Sequence, residues 1–168
     1  MATTKSKEPM DLNALFEHAL KDMYYAEKKI YRSLPKMIKA AEDVALKEAL
    51  TAHRDETQGQ IEVLEQVFEL IGKRPKAEKC DAMDGILDEA TGLLEDFAGG
   101  AANDSAIIFS AQAVEHYEIS RYGSMHAYAT LLNMKEAAGL IKGILDQEFA
   151  ADKSLTALAE AQVNAKAA

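Results

Sequence analysis

Phe16, Ala19, Met23, Glu27, Ile30, Leu34, Met37 and Ala41 follow one another at intervals of three and four residues. That spacing puts them on one face of an α-helix. Three further segments repeat the device. One carries Ala49, His53, Glu56, Gln60, Val63, Val67 and Leu70. The next carries Ile108, Ala111, Glu115, Glu118, Tyr122, Met125, Ala129 and Leu132, and the last Ile141, Leu145, Glu148, Asp152, Leu155 and Ala159. A chain with four long amphipathic stripes has few ways to bury them other than against one another.

The punctuation fits. The first helix is predicted over 11–41, with Pro35 kinking it, because the stripe continues past the proline. The second runs from 44 to just before Gly72, a C-terminal stop with Pro75 beyond. A short helix is predicted over 81–97. "AGGAAND" then breaks the chain, and the third long helix covers 104–132. Asn133 and Glu136 have the spacing of a capping box, opening a fourth helix that runs to 163. Residues 1–10 and 164–168 read as a flexible tail and a frayed end around one domain, 11–163. Tight turns pair the long helices into two antiparallel hairpins. The longer link gives an all-α four-helix bundle with one crossover connection, containing a short fifth helix.

Composition removes several functions. Ala, Leu, Glu and Lys dominate, which favours helix. A net charge of −9 argues against nucleic acid as a partner, since phosphate binding needs a basic face. Cys80 is the only cysteine, so an intrachain disulfide and a thiolate metal cluster are both excluded. It reads as a passive thiol in a connector. The first ten residues lack an apolar signal core, and no apolar run approaches the ~20 residues of a membrane span. A reducing cytoplasm is the default location. "AGGAAND" lacks the lysine and spacing of a phosphate loop, and "DETQG" is too short for a calcium loop.

The stripes contain residues that do not belong in a core. Each has a carboxylate inside it: Glu27, Glu56, Glu118 and Glu148. A buried, unpaired carboxylate is expensive or gives up its charge. At ~1.5 Å per residue, the two members of each hairpin pair sit at nearly the same height. The hairpins also look like copies. "YYAEKKIY" aligns with "EHYEISRY", matching Glu27 with Glu118 and Tyr31 with Tyr122. "ETQGQ" aligns with "EFAAD", matching Glu56 with Glu148 and Gln60 with Asp152. Four carboxylates at one level repel, so either some protonate or cations neutralise them. Two divalent cations balance four ionised Glu, and oxygen-rich ligation suits manganese better than zinc.

The other candidates are less specific. Glu115 reads equally as a fifth ligand and as a solvated neighbour. His53, three residues before Glu56, reads equally as a ligand and as a hydrogen-bonded core histidine. His116 points away from Glu115 and reads as surface, as does His18; His126 has no matched partner. Tyr24, Tyr31 and Tyr122 lie near the proposed centre, as packing residues in the first instance.

This constellation resembles the ferritin-like superfamily, rubrerythrin in particular, where two helices supply Glu and two supply Glu-x-x-His. "EHYE" is similar to the Glu-x-x-Glu of the third rubrerythrin helix. More closely, "DLNALFEHALKDMYYAEKKI", "HRDETQGQIEVLEQVFE" and "ILDQEFAADKSL" resemble the YciE/YciF family of bacterial stress-response proteins. The resemblance implies a rubrerythrin-like bundle, cytoplasmic expression and homodimers. One departure stands out. The positions three residues after Glu56 and Glu148, where rubrerythrin-type sites need His, hold Gly59 and Ala151. Gln60, Asp152 and His53 are the available substitutes. Two functions remain open at this stage. One is a dinuclear iron or manganese centre handling peroxide or oxygen under stress. The other is a non-enzymatic stress protein or scaffold with a degenerate or structural site.

Overall fold

The computed structural model describes residues 10–168, so the expected tail over 1–10 lies almost wholly outside it. Five main helices follow in order: α1 (Leu12–Ala40), α2 (Val44–Leu70), α3 (Asp81–Asp96), α4 (Asn103–Leu131) and α5 (Lys135–Leu158). α5 continues through a π-helical turn (Ala159–Val163) into a short α6 (Asn164–Ala167). The end expected to fray is therefore helical. Ser105 donates to Asn164, and Lys166 donates to Asp43, tying α6 to the bundle.

Local chemistry sets the helix ends. Asp11 caps α1 by accepting from the Ala14 amide, and Asp43 caps α2 by accepting from Ala45 and Leu46. α1 runs unbroken through Pro35. α2 stops at Gly72, whose φ of 70° lets Lys73 donate back to the Phe68 carbonyl. Asn133 has a different job from the one its spacing predicts. With φ 57° it closes α4, the amides of Asn133 and Met134 donating to Thr130 and Ala129, and α5 begins without a side-chain cap. A reversal this short needs a left-handed residue, and Asn adopts that conformation readily.

α1 packs on α2 and α4 packs on α5; α2 with α5 and α1 with α4 complete a four-sided bundle. Asp104, at the start of α4, accepts from the Glu42 and Asp43 amides at the α1–α2 turn. α4 therefore starts where α1 ends, and the two run antiparallel. α3 lies outside this square, against α1 and α4. It runs alongside α1, with Asp84 beside Lys29 and Glu95 beside Lys36. The connection thus returns the chain to the end of the bundle where α4 begins. This is the ferritin-like four-helix bundle with a crossover carrying a short helix. Among the described residues no helix is long and apolar enough to cross a membrane.

Candidate metal centre

The carboxylates converge at mid-height, though not with the predicted membership. Glu27, Glu118 and Glu148 are fully buried, and Glu115 is 2% exposed. Glu56 is exposed. α2 is rotated from its predicted phase, burying Leu46, Leu50, Ile61, Leu64 and Phe68 instead of Ala49, Val63 and Leu70. The larger apolar side chains decide the rotation, because burial gain scales with apolar area. His53, Thr57 and Gln60 face inward as a result, and Glu56 is left at the rim.

Asp152, the other α5 acid of the predicted ligand set, has polar partners on α4. It is half-buried and lies across to α4, accepting from Gln112 at 3.0 Å and 3.2 Å from His116. His116, exposed as predicted, orients that carboxylate. Of the three tyrosines, Tyr122 lies at the centre, fully buried and donating its hydroxyl proton to Glu27 Oε1. Tyr24 donates to Glu65 at 2.7 Å, and Tyr31 accepts from Arg54 at 3.0 Å. Cys80 is buried in the connector, its sulfur accepting from the Met83 amide and lying 3.0 Å from the Tyr117 hydroxyl.

Thr57 is a core residue that the stripes missed. It is fully buried and donates to the His53 carbonyl at 2.8 Å. Its place four residues after His53 and three before Gln60 was the available signal. Gln60 donates to Glu148 Oε1 and, at 3.1 Å, to Gln147. His53 Nε2 lies 3.5 Å from Glu115 Oε1. One ligand atom each from His53, Glu115 and Glu118 fall within 4.8 Å of one another.

The family model for DUF892, described as a domain of unknown function, matches residues 11–168. The chain belongs to this family. Protein YciF of Escherichia coli (strain K12) is 42% identical over 154 residues, covering 91% of this chain and 93% of YciF. The crystal structure of that E. coli stress protein superposes with a TM-score of 0.88 at 40% identity, over 93% of this chain and 99% of its own. YcfI from Rhodopseudomonas palustris, for which a structural role has been suggested, gives 0.86 at 41% identity over 90% and 96%. A protein from Xanthomonas campestris pv. campestris gives 0.72 at 24% over 92% and 94%, a likeness of fold.

Electrostatics in this DUF892 core are severe. Burial, and then the Glu148 charge, push Glu27 up to about 8, partly offset by the Tyr122 hydrogen bond. Burial raises Glu115 to about 11, with Glu148 beside it adding to the effect. Glu118 is held well above the carboxylate range by burial and the neighbouring Glu27. Glu148 is raised by burial against the pull of hydrogen bonds from Glu115 and Gln60. Burial lowers His53 to about 4. The His53–Glu115 contact is therefore one between neutral groups near pH 7, not an ion pair.

The polar inventory in this core is incomplete. Both oxygens of Glu118 lack a hydrogen-bond partner, as do one oxygen each of Glu27, Glu115 and Glu148, Gln60 Oε1 and His53 Nδ1. Native structures leave only a few such atoms per 100 residues, so a group of them in one place calls for an explanation. Bare carboxylate oxygens beside an imidazole nitrogen are the donor set of an oxygen-rich divalent metal site. The residues present fit a metal.

Proposed function

We propose that the buried cluster holds two iron or manganese ions and that the protein acts on peroxide or oxygen under stress. The observation that carries this reading is the set of unpartnered oxygens on four converging, fully buried or nearly buried glutamates. Four carboxylates match the charge of two divalent ions, and metal binding would displace the protons that burial holds on them. Glu27, Glu115, Glu118 and Glu148 would be the ligands. His53 would donate through a ring nitrogen, and Gln60 would orient Glu148 or ligate through its free oxygen. Iron or manganese would supply reversible one-electron chemistry at such a centre. The chain's own part is to fix the ligands, exclude water with its apolar stripes, and hold protons. Tyr122 fixes Glu27 through its hydroxyl, while Glu115 and His53 can pass a proton between carboxyl and imidazole. A stress role follows from the likeness to the E. coli stress protein YciF. Cytoplasmic residence and a homodimer belong to the same proposal.

A second reading is a non-enzymatic scaffold whose acids share protons or hold a structural cation. It is favoured by Gly59 and Ala151 at the two positions where a rubrerythrin-type site carries His. Elemental analysis after loading, followed by peroxide consumption, separates the two. The proposed centre is expected to retain about two ions per chain and to consume peroxide catalytically. Retained metal without turnover favours the scaffold, and no retained metal defeats the dinuclear centre.

A further inference from the structure

A cavity of about 170 Å³ opens between α2 and α5. Its rim is formed by exposed residues, Ala52, Glu56, Ala150 and Ser154. Its floor includes the buried pair His53 and Glu115. At about 30 Å³ per water this holds roughly five waters, room for a cation still carrying part of its hydration shell.

The lining of this cavity is graded. Small side chains form the walls: Ala49, Ala151 and Ser154 leave the space open where bulkier residues would close it. Among the described residues, no lysine or arginine lines it. One exposed carboxylate, Glu56, stands at the mouth. Two polar side chains more than nine-tenths buried stand at the floor, each with an unpartnered atom, His53 Nδ1 and Glu115 Oε2. The floor is one step from the core, since His53 and Glu115 share a 4.8 Å cluster with Glu118, whose oxygens are both bare.

We infer that this cavity is the path by which divalent cations reach the core, with Glu56 at the mouth and the His53–Glu115 pair as the inner step. The assignment rests on the core cluster being a metal site. It gives Glu56, exposed on the rim, a place at the mouth in place of the ligand role its spacing predicts. A cation exchanges waters for the Glu56 carboxylate at the mouth, where solvent still helps. It then exchanges more for Glu115 and His53, which stay bound as it settles among Glu118, Glu27 and Glu148. Successive ligands replace the hydration shell in parts, which avoids stripping it in one costly step. Ala151 matters for the same reason, because a larger side chain there would narrow the walls.

The test is the rate at which purified metal-free protein takes up Co²⁺, followed by its visible absorption in a stopped-flow instrument, together with equilibrium affinity. Three variants on exposed α2 positions are compared with wild type: Glu56→Gln, Ala52→Phe and the control Glu62→Gln. Glu56→Gln and Ala52→Phe are expected to slow uptake about tenfold, the scale of electrostatic focusing at a charged cleft. Release should slow in Ala52→Phe by a similar factor, leaving its affinity within about threefold, because a path alters a barrier and not an end state. Glu62→Gln should match wild type. Unchanged rates in both portal variants overturn the path alone. Loss of equilibrium binding in Glu56→Gln also overturns it, by making Glu56 a ligand. Wild-type protein that takes up no Co²⁺ overturns the metal site, and the path with it.

Discussion

The two hairpins share a plan and differ in chemistry. α1–α2 brings one buried acid to the centre, Glu27, whereas α4–α5 brings Glu115, Glu118 and Glu148. α2 adds neutral groups, His53, Thr57 and Gln60. Glu56 and Glu148 occupy matched positions in the repeat, yet Glu148 is fully buried and Glu56 is exposed. A repeated sequence pattern therefore gave a repeated architecture and an unequal division of labour. The acid-rich hairpin concentrates negative charge. The acid-poor hairpin donates to it through Gln60, receives from Tyr122 at Glu27 and, on the α2 side facing α5, carries the opening to solvent. What separates them is the rotation of α2, which depends on where its large apolar side chains fall.

The largest expected effect tests that division through metal binding. Mn²⁺ at about a hundred times its dissociation constant should stabilise the folded protein by about 2.7 kcal/mol. For a chain of this size that is about 5–10 °C in melting temperature. Glu118→Ala with Glu148→Ala should abolish the shift. His53→Ala with Gln60→Ala should leave part of it. Equal loss in both pairs, read by differential scanning calorimetry, would break the asymmetry.

A smaller effect concerns pH in the metal-free protein. The core carboxylates have folded pKa values raised above the ordinary 4.5, Glu27 to about 8. Their contribution to stability is thus greatest below the ordinary value and is lost as pH rises through the folded one. His53 has the opposite sign. Its folded value is depressed from 6.5 to about 4, so its contribution is complete above 6.5 and is lost on acidification. Between pH 6.5 and 8 the carboxylates act alone, and urea titrations should show stability falling. Glu118→Gln should flatten that slope and leave the variant more stable than wild type at pH 8. A variant as steep as wild type would move the titration away from α4.

The smallest effects separate the two hairpin turns. The first is fastened by Asp104 from α4, which accepts the Glu42 and Asp43 amides at 2.8 and 2.6 Å. Asp104→Ala should lower stability by about 1–2 kcal/mol. The second turn is local, resting on the φ of 57° at Asn133. Asn133→Gly should change stability by only a few tenths of a kcal/mol, since glycine adopts that conformation freely. Chemical denaturation at one pH checks both.

Four stripes together with the breakers determined five helices, the paired hairpins and the outlying crossover, with limits close to those observed except at the last helix, which continues past 163 to Ala167. They could do so because helix periodicity, caps and breakers are local properties, written within a few residues of where they act. Helix α4 also buries Ile107 and Val114 outside its predicted stripe, yet that stripe from Ile108 to Ala129 was legible, Glu115 and Glu118 included. The stripe of α2 was not. Two phases one residue apart were both plausible, one with Glu56 inside and one with Thr57, and the choice lay with the surfaces of α1 and α5 against which Leu46, Leu50, Leu64 and Phe68 pack. The same holds for Asn133, whose spacing fits a cap but whose backbone closes the preceding helix, and for Asp152, whose partners Gln112 and His116 lie on α4. A sequence records which residues can share a face. Which of two adjacent faces turns inward is settled when neighbouring helices compete for apolar area, and in this protein that contest decided which four carboxylates are buried together.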